Sequence, residues 1–127
     1  ILWDYVCNRC SDVMTKKEVF AGTTNSGLRI SELTINKMVS VLRKNIDSGD
    51  HIQYEKERNV KLDEMPDVEC EMCSGTGFRN DKIVQGECNG CKGKGETRPW
   101  DVHYRFTAKN FERFVMFLEQ SGGILIF

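Results

Sequence analysis

The sequence predicts an α+β fold in which a small antiparallel sheet carries two packed helices and a cysteine-stapled β-hairpin module projects from it. Three observations predict it. Two segments, 31–49 and 107–121, each open on a hydroxyl residue, carry one apolar stripe at helical spacing and give way to glycine. Short β-branched and aromatic runs lie beside both segments, at the length of strands in a small sheet. Six cysteines fall into three pairs of identical C-x2-C spacing. With 127 residues, 39% hydrophobic and 29% charged, a single domain over residues 1–127 is expected. Its parts are an N-terminal strand–helix region (1–49), the hairpin module at about 70–97 and a C-terminal strand–helix–strand region (100–127).

Taken in order, Leu2 to Val6 read as an aromatic-rich strand leading into a turn at Cys7–Cys10. Val19–Phe20 and Leu28–Ile30 flank Gly22–Gly27, whose Thr, Asn, Ser and Gly content signals a turn between antiparallel strands. Ser31 is placed to cap a helix that ends at Gly49, with Ile35, Met38, Val39, Leu42 and Ile46 as its buried stripe. Residues 50–71 carry eight acidic against three basic side chains and are expected to form an exposed connection. Phe78–Arg79 and Lys82–Val84, around Asn80–Asp81, suggest a hairpin. Val102, Tyr104 and Phe106 alternate with His103 and Arg105, the pattern of a half-buried strand with His103 facing solvent. Thr107 caps a second helix through Ser121, with Phe111, Phe114, Val115 and Leu118 inward; Gly122–Gly123 stop it, and Ile124–Phe127 form a short buried strand.

Charge excludes more than it assigns. Eighteen Lys and Arg stand against 19 Asp and Glu, a formal net charge of -1, so no overall field favours nucleic acid or a membrane. The longest apolar runs, Phe114–Leu118 and Ile124–Phe127, fall far short of the roughly 20 residues of a membrane span, and the chain reads as soluble. It has no Asn-x-Ser/Thr acceptor and is large enough to build a core without disulfides, so a reducing, cytoplasmic compartment is expected.

Cys70, Cys73, Cys88 and Cys91 form C-x2-C, fourteen intervening residues and C-x2-C, close to the structural zinc template. Two residues between thiolates let one tight turn offer both sulfurs to a tetrahedral ion at about 2.3 Å, and two such turns leave no open position for water. Each second cysteine is followed by the same pattern, Ser74-Gly75-Thr76-Gly77 and Lys92-Gly93-Lys94-Gly95. Glycine there permits positive φ, so backbone N–H groups turn toward the thiolates. One zinc is expected to staple the hairpin. Four thiolates and one Zn²⁺ add two negative charges, which Arg79, Lys92 and Lys94 lie close enough in sequence to offset in part.

At these residues, CEMCSGTG and CNGCKGKG resemble two copies of the C-x-x-C-x-G-x-G repeat of the DnaJ cysteine-rich zinc domain. The resemblance covers residues 70–95 and implies a metal site at the four cysteines within a hairpin-rich local fold. DnaJ proteins carry four such repeats, two zincs and a His-Pro-Asp J-domain motif; this sequence has two repeats, and neither His51 nor His103 precedes proline. Stimulation of Hsp70 is therefore not implied.

Cys7 and Cys10 are half a site, lacking the following Gly-x-Gly. Three readings stand. A second zinc is completed by His51 and His103 as Cys2His2, or the pair is redox-active, or it is a reduced pair in a turn between strands.

A closed four-thiolate site cannot activate water. The sequence has no Gly-x-Ser-x-Gly, phosphate-binding loop, His-Glu-x-x-His or zinc-deaminase pattern. A non-enzymatic zinc-binding adaptor is therefore expected, with a macromolecular partner and no small-molecule substrate. The acidic 50–71 stretch precedes a hairpin bearing Arg79, Lys82, Lys92 and Lys94, the residues expected to meet that partner. A protein is favoured over nucleic acid because the whole chain is slightly acidic. The nucleic-acid alternative uses the basic aromatic region 78–113, where Phe78, Trp100, Tyr104 and Phe106 are interleaved with eight basic residues. The enzymatic alternative is thiol–disulfide exchange through Cys7 and Cys10, with Arg9 available to lower a thiol pKa.

Overall fold

The computed structural model describes residues 1–126 and divides the chain into two compact units, one formed by Ile1–Arg58 with the segment from Phe106 onward, the other by Asn59–Arg105. In chain order the elements are α1 (Leu2–Arg9), α2 (Lys16–Thr24), β1 (Leu28–Ser31), α3 (Glu32–Ser48), α4 (Asp50–Glu64), β2 (Val68–Glu69), β3 (Phe78–Asn80), β4 (Gln85–Glu87), β5 (Glu96–Thr97), a 3-10 turn (Trp100–His103), α5 (Ala108–Gln120) and β6 (Gly123–Ile126). The expected α+β class holds: the strands form three antiparallel two-stranded sheets, β1–β6, β2–β5 and β3–β4. No helix among the described residues is long and apolar enough to cross a membrane.

Both capped helices of the first unit form where their cap chemistry places them. Ser31 Oγ accepts from Thr34 N at 3.3 Å, and α3 ends at Gly49 with φ 76°. Thr107 Oγ1 accepts from Asn110 N at 3.3 Å and opens α5. Ile35, Met38 and Leu42 of α3 are buried, as are Phe111, Val115 and Leu118 of α5, with Val39, Ile46 and Phe114 packed against the same core. The two helices pack on each other, and α3 also packs on the β1–β6 ribbon, whose register runs from Leu28 opposite Ile126 to Ser31 opposite Gly123. Phe127, the last residue of the expected strand, lies outside the described residues.

Six expectations are overturned. The N-terminal strand is helix α1, because Tyr5, Val6 and Cys7 are buried in succession, which a half-buried alternating strand cannot do. Cys7 lies in its last turn and Cys10 is its C-cap, so the pair is not in a turn between strands. The hairpin expected around Gly22–Gly27 is replaced by α2, fixed by a capping box in which Glu18 N donates to Thr15 Oγ1 at 3.2 Å and Thr15 N donates to Glu18 Oε2 at 2.7 Å. Gly22 is there for close helix packing: a Cβ on it would lie 2.5 Å from Cys7 Sγ and 3.3 Å from the Trp3 ring.

The expected acidic connection is mostly helix α4. Its Glu, Lys, Gln and Arg residues are strong helix formers, and Gln53 bonds Glu57 one turn on at 2.7 Å. Arg98 closes its C-terminus by donating to the carbonyls of Leu62 at 2.8 Å and Met65 at 2.5 Å, with Asp67 at 3.0 Å. The strand expected at 102–106 is a 3-10 turn instead: Val102 and Phe106 are buried but Tyr104 is exposed, so the alternation fails, while His103 is exposed as expected. In the hairpin, the returning strand is β4 rather than Lys82–Val84, because Asp81 Oδ1 accepts from the backbone N–H of both Ile83 and Val84 at 2.8 Å and spends those residues in the turn.

Candidate metal centre

The second unit is built around two chain turns related by an internal two-fold, and the register proves the relation. Val68 pairs with Thr97 and Glu69 with Glu96; eighteen residues on, Gly86 pairs with Arg79 and Glu87 with Phe78. The hydrogen bonds repeat in the same way. Cys70 N donates to Gly95 O at 2.9 Å and Cys88 N to Gly77 O at 2.8 Å, so each turn is tied to the end of the other. Ser74 and Lys92 both take φ 52°, and the glycines that follow them take φ 78° and 79°. Each half also closes on the other through glycine: a Cβ on Gly77 would lie 2.5 Å from Gly93 O, and one on Gly95 would strike Gly75 O. These glycines are required both for positive φ and for the approach of one backbone to another.

This arrangement draws Cys70, Cys73, Cys88 and Cys91 into one buried cluster whose Sγ atoms lie within 4.8 Å of one another. Sγ of Cys70 and Cys88 are 3.9 Å apart, and those of Cys73 and Cys91 3.8 Å. A disulfide would hold sulfurs at about 2.05 Å, whereas ligands about 2.3 Å from a tetrahedral ion lie about 3.8 Å apart. The cluster thus has the size to hold one metal ion on four sulfurs, which stand for thiolates when the ion is bound. Gly77 N and Gly95 N donate to the sulfurs of Cys73 and Cys91, both at 3.2 Å. In the thiol form, burial pushes Cys70 up to about 11. At Cys73 burial works in the same direction, but the Gly77 N–H and the neighbouring sulfurs outweigh it and bring that thiol down to about 7. One sulfur of the cluster is therefore readily deprotonated near neutral pH, as metal capture requires.

Of the second set of expected ligands, the three that share a unit, Cys7, Cys10 and His51, form no metal-sized group there. Cys7, Cys10 and His51 belong to the first unit and His103 to the second. Among the described residues the four-cysteine cluster is the one group of three or more potential ligands drawn together. Burial raises the Cys7 thiol and pushes Cys10 up to about 12, where thiol–disulfide exchange needs the reverse. His51 is buried, with Nε2 2.8 Å from Glu112 Oε1 and its ring 5.4 Å from Phe111.

Of the four basic residues expected to meet a partner, Arg79 is committed within its own unit: it bonds Asp81 at 2.6 Å and donates from Nη1 to Asn89 Oδ1 at 2.8 Å. Lys82, Lys92 and Lys94 are exposed, and their side chains make no hydrogen bond or ion pair among the described residues. Phe106 is core, whereas Phe78, Trp100 and Tyr104 are exposed.

Two further clusters form only in the folded chain. In the first unit, Asp50 accepts from the Tyr5 hydroxyl and from Arg9 Nε at 2.7 Å, and the Arg9 guanidinium lies 4.8 Å over the Tyr5 ring. The Arg9 bonds hold the Asp50 carboxyl below its ordinary range. In the second unit a cleft of about 270 Å³ opens beside the Cys70 turn, with Trp100 and Met72 in its walls. No local pattern announces either one, since each depends on residues brought together from separate elements. No protein-family model, curated protein or solved structure matches the chain.

Proposed function

We propose that the chain is a non-enzymatic binding protein whose second unit is a DnaJ-like zinc hairpin that presents a docking surface to a macromolecular partner. The observation that carries the reading is the closed cluster of four cysteine sulfurs, with separations of 3.8 and 3.9 Å. Four soft thiolates within reach of one ion favour zinc among the available divalent ions. With every coordination position taken by protein, the ion serves as a staple, and zinc binding of this kind contributes on the order of 10 kcal/mol to local folding. Thiolate ligands also call for a reducing compartment.

What the stapled unit offers outward is charge and aromatic surface. Lys82, Lys92 and Lys94 are free cations, and Phe78 and Trp100 are 68% and 73% exposed. A rim of this kind suits steering and orientation of a large partner better than enclosure of a small substrate. A protein partner is the first reading; exposed aromatics and lysines on the same unit favour a single-stranded nucleic acid as the second.

Native mass spectrometry with and without chelator tests the staple: one zinc per chain is expected, lost in Cys73→Ser. Lys92→Glu with Lys94→Glu should reduce partner capture at physiological salt while zinc content stays the same. Capture that is abolished by nuclease selects the second reading. A zinc-free protein purified under reducing conditions without chelator overturns the assignment.

A further inference from the structure

The internal two-fold of the second unit is broken at one place. In one half, Arg79 of β3 sends its guanidinium to Asn89, the residue after the first cysteine of the second turn. The two-fold places Thr97 where Arg79 stands and Glu71 where Asn89 stands, as the paired registers of β2–β5 and β3–β4 require. Threonine is too short to fill the position. What lies there instead is the cleft of about 270 Å³, lined by Val68, Glu71, Met72, Thr97, Trp100 and His103 among others.

The chemistry of the cleft matches the group that fills the equivalent position in the other half. Glu71 makes no hydrogen bond or ion pair among the described residues, and neither does Glu69 on the same rim. Arg98 also reaches the rim, but its guanidinium is spent on the carbonyls of Leu62 and Met65 and on Asp67. The Trp100 indole stands in the wall, 73% exposed, touching the edge of His103 at a centroid distance of 6.0 Å. An unpaired carboxylate and an exposed indole lining one cleft make an environment for a planar cation, which the carboxylate binds through paired hydrogen bonds and the ring through its quadrupole. With zinc held by Cys70 and its three partner cysteines, the dianionic tetrathiolate centre would add to the same field.

We infer that this cleft receives the guanidinium of an arginine on a partner protein, which takes in this half of the unit the place that Arg79 takes in the other. The inference rests on the docking reading above and names the chemistry that the partner must carry. It also separates two surfaces of opposite sign on one unit: the lysines at 82, 92 and 94, and this acidic aromatic cleft.

The test is anisotropy titration of fluorescein-labelled hexa-arginine, hexa-lysine and oligothymidylate against protein whose metal content is measured in the same preparation. Hexa-arginine is expected to bind in preference to hexa-lysine by about fivefold or more, because the planar fork both stacks and bonds bidentately. Glu71→Asn combined with Thr97→Arg rebuilds the filled half inside the cleft and should weaken hexa-arginine binding about tenfold or more. Trp100 is so exposed that Trp100→Ala tests the cleft without touching the core, and it should weaken binding similarly. Lys92→Glu with Lys94→Glu should leave hexa-arginine binding intact. Hexa-arginine affinity that neither cleft variant changes overturns the inference, as does oligothymidylate binding that Trp100→Ala abolishes, which would give the indole to a base. Metal present without hexa-arginine binding overturns the cleft alone; absence of metal overturns the zinc staple and the cleft with it.

Discussion

Two glycines with the same backbone angle separate conformational strain from packing. Gly49, at the end of α3, has φ +76°, and nothing lies within 4 Å of a Cβ built on it. Gly77 has φ +77°, but its Cβ would lie 2.5 Å from Gly93 O and 3.1 Å from Gly93 C. Alanine at either position pays the left-handed penalty of about 1–2 kcal/mol. At Gly77 it must also part the two turns by about 0.9 Å to reach ordinary contact distance. That movement acts on the Gly77 N–H bond to Cys73 Sγ and on the Cys88 N–H bond to Gly77 O. Losing both costs about 2 kcal/mol more. Gly77→Ala should therefore lower metal affinity by two to three orders of magnitude, at about 1.4 kcal/mol for each factor of ten. Gly49→Ala should leave metal affinity unchanged and cost only the first increment in thermal stability. Competition against a chromophoric chelator reads the affinity, and calorimetry reads the stability. Equal chelator curves for the two variants would refute the reasoning, since contact between the turns would then carry no weight.

Further outcomes follow from the first unit. Asp50 is held below its ordinary 3.8 first by the Arg9 hydrogen bond, so its ionised form adds stability above about pH 4 that is lost as pH falls through the folded value. Because the group is partly exposed, Asp50→Asn should cost only about 0.5–1 kcal/mol at pH 7, and a melting-temperature gap from wild type that stays constant down to pH 2 would sink the argument. Gly22→Ala should destabilise by about 1–3 kcal/mol in urea titrations, and Cys7→Ala in the same chain should restore part of it by removing the sulfur that the new methyl meets. Cys7 and Cys10 are buried with raised thiol pKa, so iodoacetamide should modify neither in the native protein and both in denaturant; alkylation counted by mass spectrometry checks this.

What the sequence made legible is what short-range chemistry determines. Ser31, Gly49 and Thr107 announce α3 and α5 because a cap is satisfied within three or four residues. The four cysteines announce themselves because their spacing is already the geometry of a tight turn. Helix α1 was illegible: Trp3, Tyr5 and Val6 have strand propensity, and only burial of Tyr5, Val6 and Cys7 in the core makes that segment helical. Helix α4 was hidden in a charge run whose C-terminal cap, Arg98, arrives from more than thirty residues away. The cleft at Glu71 was equally hidden, since it emerges only when the register aligns Thr97 with Arg79.

The interlock of the two cysteine turns also determines where the chain can be altered. Each turn finds its backbone partner in the other, Cys70 N on Gly95 O and Cys88 N on Gly77 O, so the halves need not be held in place by the segment that joins them. That segment closes at Asp81–Val84, with Ile83 86% exposed. Doubling a flexible loop costs only about 0.6 kcal/mol in closure entropy. The tip is therefore a permissive splice point, where an epitope, a spacer or new chain ends can be introduced, and where the reach of the unit can lengthen while its metal ligands stay in place.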